Sequence, residues 1–433
     1  MSSIWSDYPE MPVFDGLKND IKTDVLIIGG GMAGILCAYM LECAGIDYAL
    51  VEADRICGGM TKNTTAKITS QHGLIYSDLV RRFSTEKAQM YLRANEDALQ
   101  KFRELCRDIS CDFEDKDAYV YSFDRKKIEK ELTALDRIGF HADFSDTLPL
   151  PLQPAGAVKF SGQAQFNPLK FAAGIVKKLR IFEHTTIREL IGCTALTDDA
   201  KIKAKQIIVT THFPFINKHG SYFLKLYQHR SYVLALKNAP DLNGMYVDEA
   251  KDGLSFRNYK DYLLIGGASH RTGKKSGAWQ ELCNFAHVHY PDARETYRWA
   301  AQDCMSLDGI PYIGQYSAKT NNFFVASGFN KWGMTSSMVS AMLLTDFVQG
   351  RKNDYAPVFS PSRTILRPQL AVNTFEAAAN LLSFSKKRCP HMGCALKWNA
   401  SEHTWDCPCH GSRFTENGAL IDNPATDDLK QEK

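Results

Sequence analysis

At 433 residues, 44% of them hydrophobic and 23% charged, the chain is long enough for two or three domains, each with its own core. Its formal net charge of +3 comes without a long basic run, which argues against nucleic acid or an anionic membrane surface as a partner. No signal-peptide pattern opens it and no apolar run reaches the ~18 residues of a membrane span, so a cytoplasmic protein without a membrane span is expected, one in which clustered cysteines serve metals or redox chemistry.

Residues 23–28, TDVLII, are an apolar, β-branched run that predicts a buried parallel strand. The run leads into GGGMAG and then ILCAYMLECAG, whose apolar spacing is helical. Gly29, Gly31 and Gly34 thus occupy the G-x-G-x-x-G positions of a strand-to-helix turn. There they allow a tight turn, close approach of a pyrophosphate to the helix N-terminus, and close packing of helix on strand. A second strand, YALVE, ends at Glu52, placed where an acid binds the ribose hydroxyls of a dinucleotide. LLIGGASHRTG and VASGFNKWGMT have the wrong spacing for a second fingerprint, so a single dinucleotide, FAD, is expected.

Further along, 74–107 reads as one helix with a core-facing stripe through Leu79, Val80, Phe83, Met90, Leu92 and Leu99. RSYVLALKNA (230–239) and YLLIGGA (262–268) read as strands, and the proline-containing stretch 351–370 as a linker, followed by a partly helical piece over 371–388. Near the end, Cys389-x-His391 and Cys407-x-x-His410 present two thiols and two imidazoles on two loops. That set suits a Rieske [2Fe–2S] centre, in which thiolates hold one iron and histidines the other. A structural zinc site is the rival, with His403 as a further donor, although zinc sites favour C-x2-C or C-x4-C pairs combined with H-x3-5-H.

The stretches VEADRICGGMTKNTTAKITSQHGLIY (51–76), AAQDCMSLDGIPYIG (300–314) and VASGFNKWGMTSSMVSAMLLTDFVQG (325–350) resemble the D-amino-acid-oxidase (glycine oxidase-like) family of FAD-dependent oxidoreductases, and the whole chain resembles members ending in a Rieske domain. The resemblance implies an α/β protein, α+β overall. Its Rossmann-type FAD-binding domain is expected in pieces of about 20–80, 150–215 and 296–355, interleaved with a mixed-sheet substrate domain of about 81–149 and 216–295. Together these span 1–355, with a linker over 356–383 and a small all-β Rieske module, shortened to its cluster-binding half, over 384–433. Beside Gly29, Gly31, Gly34 and Glu52 it assigns Thr61, Thr64, Thr65 and Lys67 to the pyrophosphate and flavin. Ile187 is assigned to the adenine, and Gly328, Lys331, Trp332, Gly333, Met334 and Thr335 to the surroundings of the isoalloxazine. Cys389, His391, Cys407 and His410 become the cluster ligands, and Cys394 and Cys409 a disulfide tying the two loops. Ser412 keeps the position of a serine that bonds a cluster sulfide, while Phe414 stands where high-potential members have tyrosine.

For catalysis the candidates are Arg230 and Arg257 as carboxylate clamps, His270 as base or polariser, and Lys331 over the flavin. The expected function is a dehydrogenase of a small amine, amino acid or hydroxy acid that passes electrons through the cluster to an external acceptor or donor protein. The alternatives are an electron-transfer protein without an organic substrate, and an O2-using oxidase with a structural metal site.

Overall fold

The computed structural model describes residues 2–7, 11–216, 219–274 and 278–430. TDVLII lies in strand Ile21–Ile28, which pairs in parallel with Lys201–Val209 on one side and Tyr48–Val51 on the other. Phe323–Ser327 and Ile181–Phe182 extend this sheet in parallel at its two ends, and Tyr312–Gln315 closes one edge antiparallel. Helices Met32–Cys43 and Gly333–Val348 pack on each other and on these strands. The C-terminal halves of the central strands, Val25–Ile28 and Ile207–Val209, are continuous buried apolar runs, which is why the fold could be read from the sequence there. This is a Rossmann-type arrangement.

A second, mixed sheet runs in the order Arg294–Ser306, Leu226–Lys237, Tyr262–Arg271, Ser255–Tyr259, Met245–Asp248, Glu114–Ser122, Gly156–Gln165 and Lys67–Ile68. Its strands Gly156–Gln165 and Arg294–Ser306 come from stretches that the boundaries near 150 and 296 would place largely with the dinucleotide-binding sheet. An apolar run does not say which of two sheets it joins, so only the pairing reveals this. The helix expected over 74–107 is two helices, Tyr76–Arg82 and Thr85–Leu105. Ser84 separates them, accepting the Lys87 N–H at 3.2 Å as an N-cap.

The last sheet is small and antiparallel: Lys397–Asn399, Thr404–Asp406, Arg413–Thr415 and Leu420–Asp422. Its core consists of Cys389, Cys394, Leu396, Cys407, Cys409, Phe414 and Ala425. The span read as a linker, 356–383, holds helices Ala356–Phe359 and Pro368–Leu382. Proline sits at the start of the second, where its missing N–H costs nothing, and Arg271 Nη1 donates to Asn373 Oδ1 at 2.8 Å from the second sheet. Among the described residues no helix is long and apolar enough to cross a membrane.

Candidate active site and metal centre

A cavity of about 810 Å³ runs from the Gly29–Gly31 turn, between the first two sheets, to the late loop at Lys331–Met334. Gly29, at φ 110°, makes the turn. Glu52 braces it, accepting the Gly30 N–H at 2.7 Å on Oε2 and the Asp54 N–H at 3.1 Å on Oε1. Burial raises the pKa of this carboxyl, while the N–H groups of Gly30 and Asp54 oppose the rise. Thr61 Oγ1 accepts the Met32 N–H at 3.0 Å at the first turn of the helix. A Cβ on Gly31 would meet no protein atom closer than Thr61 Oγ1 at 3.6 Å and would project into the cavity. The turn thus leaves room where a pyrophosphate would approach the helix N-terminus, so these residues fit a dinucleotide.

Farther along the cavity, the carbonyls of the 63–66 loop are pinned. Trp299 Nε1 donates to Asn63 O at 2.9 Å, Trp5 Nε1 to Thr64 O at 2.7 Å, and Arg257 Nη1 to Thr65 O at 2.5 Å and Ala66 O at 3.0 Å. Lys67 reaches Thr65 Oγ1 at 3.2 Å, and burial together with the Arg257 guanidinium lowers its ammonium pKa to about 7. Thr64, Thr65, Lys67 and Ile187 line the cavity, as do Lys331, Trp332, Gly333 and Met334. Gly34, Gly328 and Thr335 do not line it. Thr335 is behind the wall, donating to Thr69 O at 3.1 Å and sharing a 3.0 Å hydrogen bond with His72 Nε2. His72, absent from the sequence reading, stacks on Trp332 at 4.9 Å and holds Tyr91 OH at 2.6 Å. Its burial lowers its pKa to about 3, so the ring is neutral.

Three of the four expected catalytic side chains do not line the cavity. Arg257 is fully buried and serves the 65–66 carbonyls. Arg230 forms an ion pair with Glu402 of the last sheet's Asn399–Thr404 turn. His270 is held at both ring nitrogens, by Tyr232 OH and by the Arg271 carbonyl, each at 2.9 Å. Their residue types suited the chemistry, but register and burial commit them to structure. Lys331 does face the cavity, donating to Ser269 Oγ at 2.9 Å and Lys251 O at 3.2 Å.

The two terminal loops are built alike. In one, the Cys389 N–H bonds Cys394 O at 2.9 Å and the Gly393 N–H bonds Cys389 O at 2.8 Å. In the other, the Cys407 N–H bonds Ser412 O at 2.8 Å and the Gly411 N–H bonds Cys407 O at 2.9 Å. Gly393 and Gly411 are left-handed, at φ 77° and 87°. A Cys394–Cys409 disulfide joins the loops, leaving Cys389 and Cys407 as buried neighbouring thiols. Hydrogen bonding from Cys407 lowers the pKa of Cys389, which favours a thiolate there. The His391 and His410 rings stand perpendicular, 4.9 Å apart, and burial lowers their pKa values to about 4 and 3, leaving both as neutral donors.

His410 Nε2 bonds Phe223 O at 3.0 Å, while its buried Nδ1 has no hydrogen-bond partner among the described residues. A backbone carbonyl that fixes one imidazole nitrogen as the donor leaves the other as a metal ligand. Two thiols and two neutral imidazoles so arranged fit a two-iron cluster of the Rieske type. Ser412 Oγ accepts the Ala425 N–H at 2.9 Å, and Phe414 is fully buried beside the cysteines.

This unit is docked on the body of the chain through its histidine side. Gln228 Nε2 donates to His410 O at 2.9 Å and Asn423 O at 3.1 Å, Gln302 Nε2 to Gly411 O at 2.8 Å, and Arg271 to Pro408 O and Cys409 O, each at 3.0 Å. Residues 420–423 together with Ala425 and Thr426 then form part of the wall of the same cavity that the Gly29 turn lines.

Against known proteins, the model of the DAO family, FAD dependent oxidoreductase, matches residues 24–347, and the Rieske [2Fe-2S] domain model matches residues 362–433. YhfW of Bacillus subtilis (strain 168), named for a Rieske 2Fe-2S iron–sulfur protein, is 33% identical, the match covering 99% of this chain and 96% of that one. Among solved structures, glycine oxidase from Geobacillus kaustophilus superposes with a TM-score of 0.65 at 20% identity, covering 79% of this chain and 99% of the other. L-proline dehydrogenase from P. horikoshii superposes with a TM-score of 0.68 at 15% identity, covering 79% and 98%. At these identities the structural likeness concerns the fold.

Replacement of Glu52 by alanine is expected to lower FAD affinity by about 10- to 100-fold, the range of a hydrogen bond to a charged group at about 1.5–3 kcal/mol. Equilibrium dialysis of FAD against the cofactor-free protein checks it, with unchanged affinity placing the ribose elsewhere.

Proposed function

The chain belongs to the family of FAD-dependent oxidoreductases and carries a C-terminal Rieske [2Fe–2S] domain, and from this premise we propose that it dehydrogenates a small amine, amino acid or hydroxy acid and sends the electrons through its own cluster to an external acceptor protein. When bound, FAD takes a hydride equivalent from the substrate C–H and the cluster carries electrons singly. We read the Gly29–Gly34 turn, Glu52, Thr61 and Ile187 as holding the ADP half, with Thr64, Thr65, Lys67 and the Gly328–Thr335 loop and helix start around the flavin. Cys389, His391, Cys407 and His410 are read as holding the cluster.

The observation that carries this reading is the shared wall. Residues 420–423, Ala425 and Thr426 contribute to the lining of the dinucleotide cavity, while the histidine-bearing loop leans on the body through the His410–Phe223 and His410–Gln228 hydrogen bonds. A terminal unit serving only as a structural clamp has no need to present its histidine side to the cavity-bearing domains.

His410→Ala tests it. The variant should lose the Rieske electron spin resonance signal and transfer to an acceptor protein, and keep its FAD and the anaerobic bleaching of flavin by substrate. Retained transfer without the signal removes the cluster from the route. Bleaching by a reductant protein but by no metabolite favours the electron-transfer alternative.

A further inference from the structure

On the reading just proposed, the substrate reacts at the sheet-lined end of the cavity, and strand register says which side chains pave it. Strand Leu226–Lys237 lies between Tyr262–Arg271 and Arg294–Ser306, with Arg230 opposite His270 and Gln302, and His229 opposite Asp303. Side chains alternate between the faces of a sheet. Gln228, Arg230 and Gln302 therefore share the face that grips the cluster unit, whereas His229, Ser231, Ala301, Asp303 and Ser269 line the cavity. A bulge next to Ser269, with Ala268 left-handed at φ 50°, marks the place where the pairing of the two strands shifts.

On this floor four polar groups form one chain. Lys331 Nζ donates to Ser269 Oγ at 2.9 Å, the Ser269 and Ser231 hydroxyls are 3.0 Å apart, and Ser231 Oγ donates to Asp303 Oδ2 at 3.4 Å. Each hydroxyl has one proton. Because Ser231 directs its own to Asp303, it accepts from Ser269, which accepts from Lys331, so the chain has a single direction and ends on a carboxylate. Oδ1 of Asp303 has no hydrogen bond to a described residue and the side chain borders the cavity. Among the described residues no guanidinium hydrogen-bonds to it. The two arginines that line the cavity, Arg55 and Arg188, pair with Glu183 and Asp198, while Arg230 and Arg257 lie off it, on Glu402 and on the 65–66 carbonyls.

We propose that Asp303 is the anchor of an amine substrate, receiving its ammonium group and accepting its proton, with Ser231, Ser269 and Lys331 fixing the carboxylate as an acceptor. In that step an N–H bond of the ammonium breaks and an O–H bond forms on Asp303. The nitrogen lone pair so released would assist transfer of a hydride from the neighbouring carbon to FAD, when bound, oxidising the amine to an iminium as the flavin is reduced. The surroundings suit a base. Burial raises the proton affinity of Asp303 above that of an ordinary carboxylate, opposed by Lys331, His212, Ser231 and Arg230, and burial likewise lowers the pKa of Lys331. A site built for a carboxylate-bearing substrate without an amine would present the reverse charge.

The test uses three probes of one carbon skeleton: propan-2-amine, alanine and lactate. Holoenzyme carrying FAD and cluster is titrated anaerobically with each, following the heat of binding and the displacement of the flavin absorbance bands. The two amines should bind and lactate should not. Asp303→Asn should weaken amine binding at least tenfold and Ser231→Ala severalfold, both with wild-type FAD content and cluster signal. Asp303→Glu should recover part of the loss. If Asp303→Asn does not load FAD, the decision falls to Ser231→Ala alone. The proposal is overturned if neither amine binds, if lactate binds more tightly than both amines, or if the serine and asparagine variants bind amines as the parent does. Reduction of flavin by lactate, or amine oxidation indifferent to Asp303, leaves the dehydrogenase reading standing. Flavin reduced by no probe and only by a reductant protein removes both.

Discussion

Glu402→Ala is expected to detach the cluster unit from the flavin-binding body. Glu402 accepts from Arg230 on the body and from Arg413, at 2.6 Å, within its own unit. Arg413 also reaches Asp406 and Asp422, each at 3.1 Å. The side chains of Arg230, Glu402 and Arg413 are 5%, 10% and 6% exposed, so water replaces little of what the mutation removes. Removing one partner of a buried charge network costs about 3–5 kcal/mol, because charges are left without compensation. Here Arg230 loses its carboxylate partner, while Arg413 keeps Asp406 and Asp422. The consequence should be read in two places: earlier proteolytic cleavage near the helix Pro368–Leu382, and electron transfer from flavin to cluster slowed well beyond the change in flavin reduction. FAD content should stay near one per chain, since Glu402 does not line the cavity. An apolar double replacement, Arg230→Met with Glu402→Leu, should lose much less, because it removes the stranded charges along with the attraction. If the double variant is as damaged as the single one, the network acts by shape and not by charge compensation.

The network also shows where the sequence could be read and where it could not. Gly29, Gly31, Gly34 and Glu52 announce themselves because a strand, a turn and a helix place them within one local unit, and the cysteines and histidines because each loop carries its own pair. Their meaning is local. Glu402 and Arg230 are 172 residues apart, and nothing near either one signals the other. By residue type Arg230 suits a carboxylate clamp, and it does hold a carboxylate, that of Glu402 in the protein itself. The Asp303 chain is equally hidden, since Ser231, Ser269 and Asp303 come from three strands and meet only through register and a bulge. The helix Pro368–Leu382, by contrast, is partly legible in its alanine-containing stretch, while the prolines around it read as a linker.

The two glycines of the first turn should separate packing from ligand binding when each is replaced by alanine. At Gly34 a Cβ would lie 1.9 Å from the Gly29 carbonyl oxygen and 2.9 Å from Thr210 Oγ1. Neither can yield: the carbonyl belongs to the turn, and Thr210 Oγ1 donates to Ile28 O and Gly29 O, each at 3.0 Å. Alanine is the better helix former by about 1 kcal/mol, but the collision must move helix Met32–Cys43 off strand Ile21–Ile28, and overpacking of a tight core costs about 1–3 kcal/mol or more. Gly34→Ala should therefore lower the melting temperature of the cofactor-free protein and lose FAD as well. Gly31→Ala should behave differently. Its backbone is at φ −76°, which any residue adopts, and the added methyl meets no protein atom within 3.6 Å. The cofactor-free melting temperature should stay within error, while FAD affinity falls at least about tenfold, or 1.4 kcal/mol, because the methyl occupies the approach of the pyrophosphate. Melting curves taken without FAD, together with flavin absorbance after desalting, read both quantities. A Gly31→Ala protein that binds FAD as well as the parent would mean that the pyrophosphate does not pass this turn.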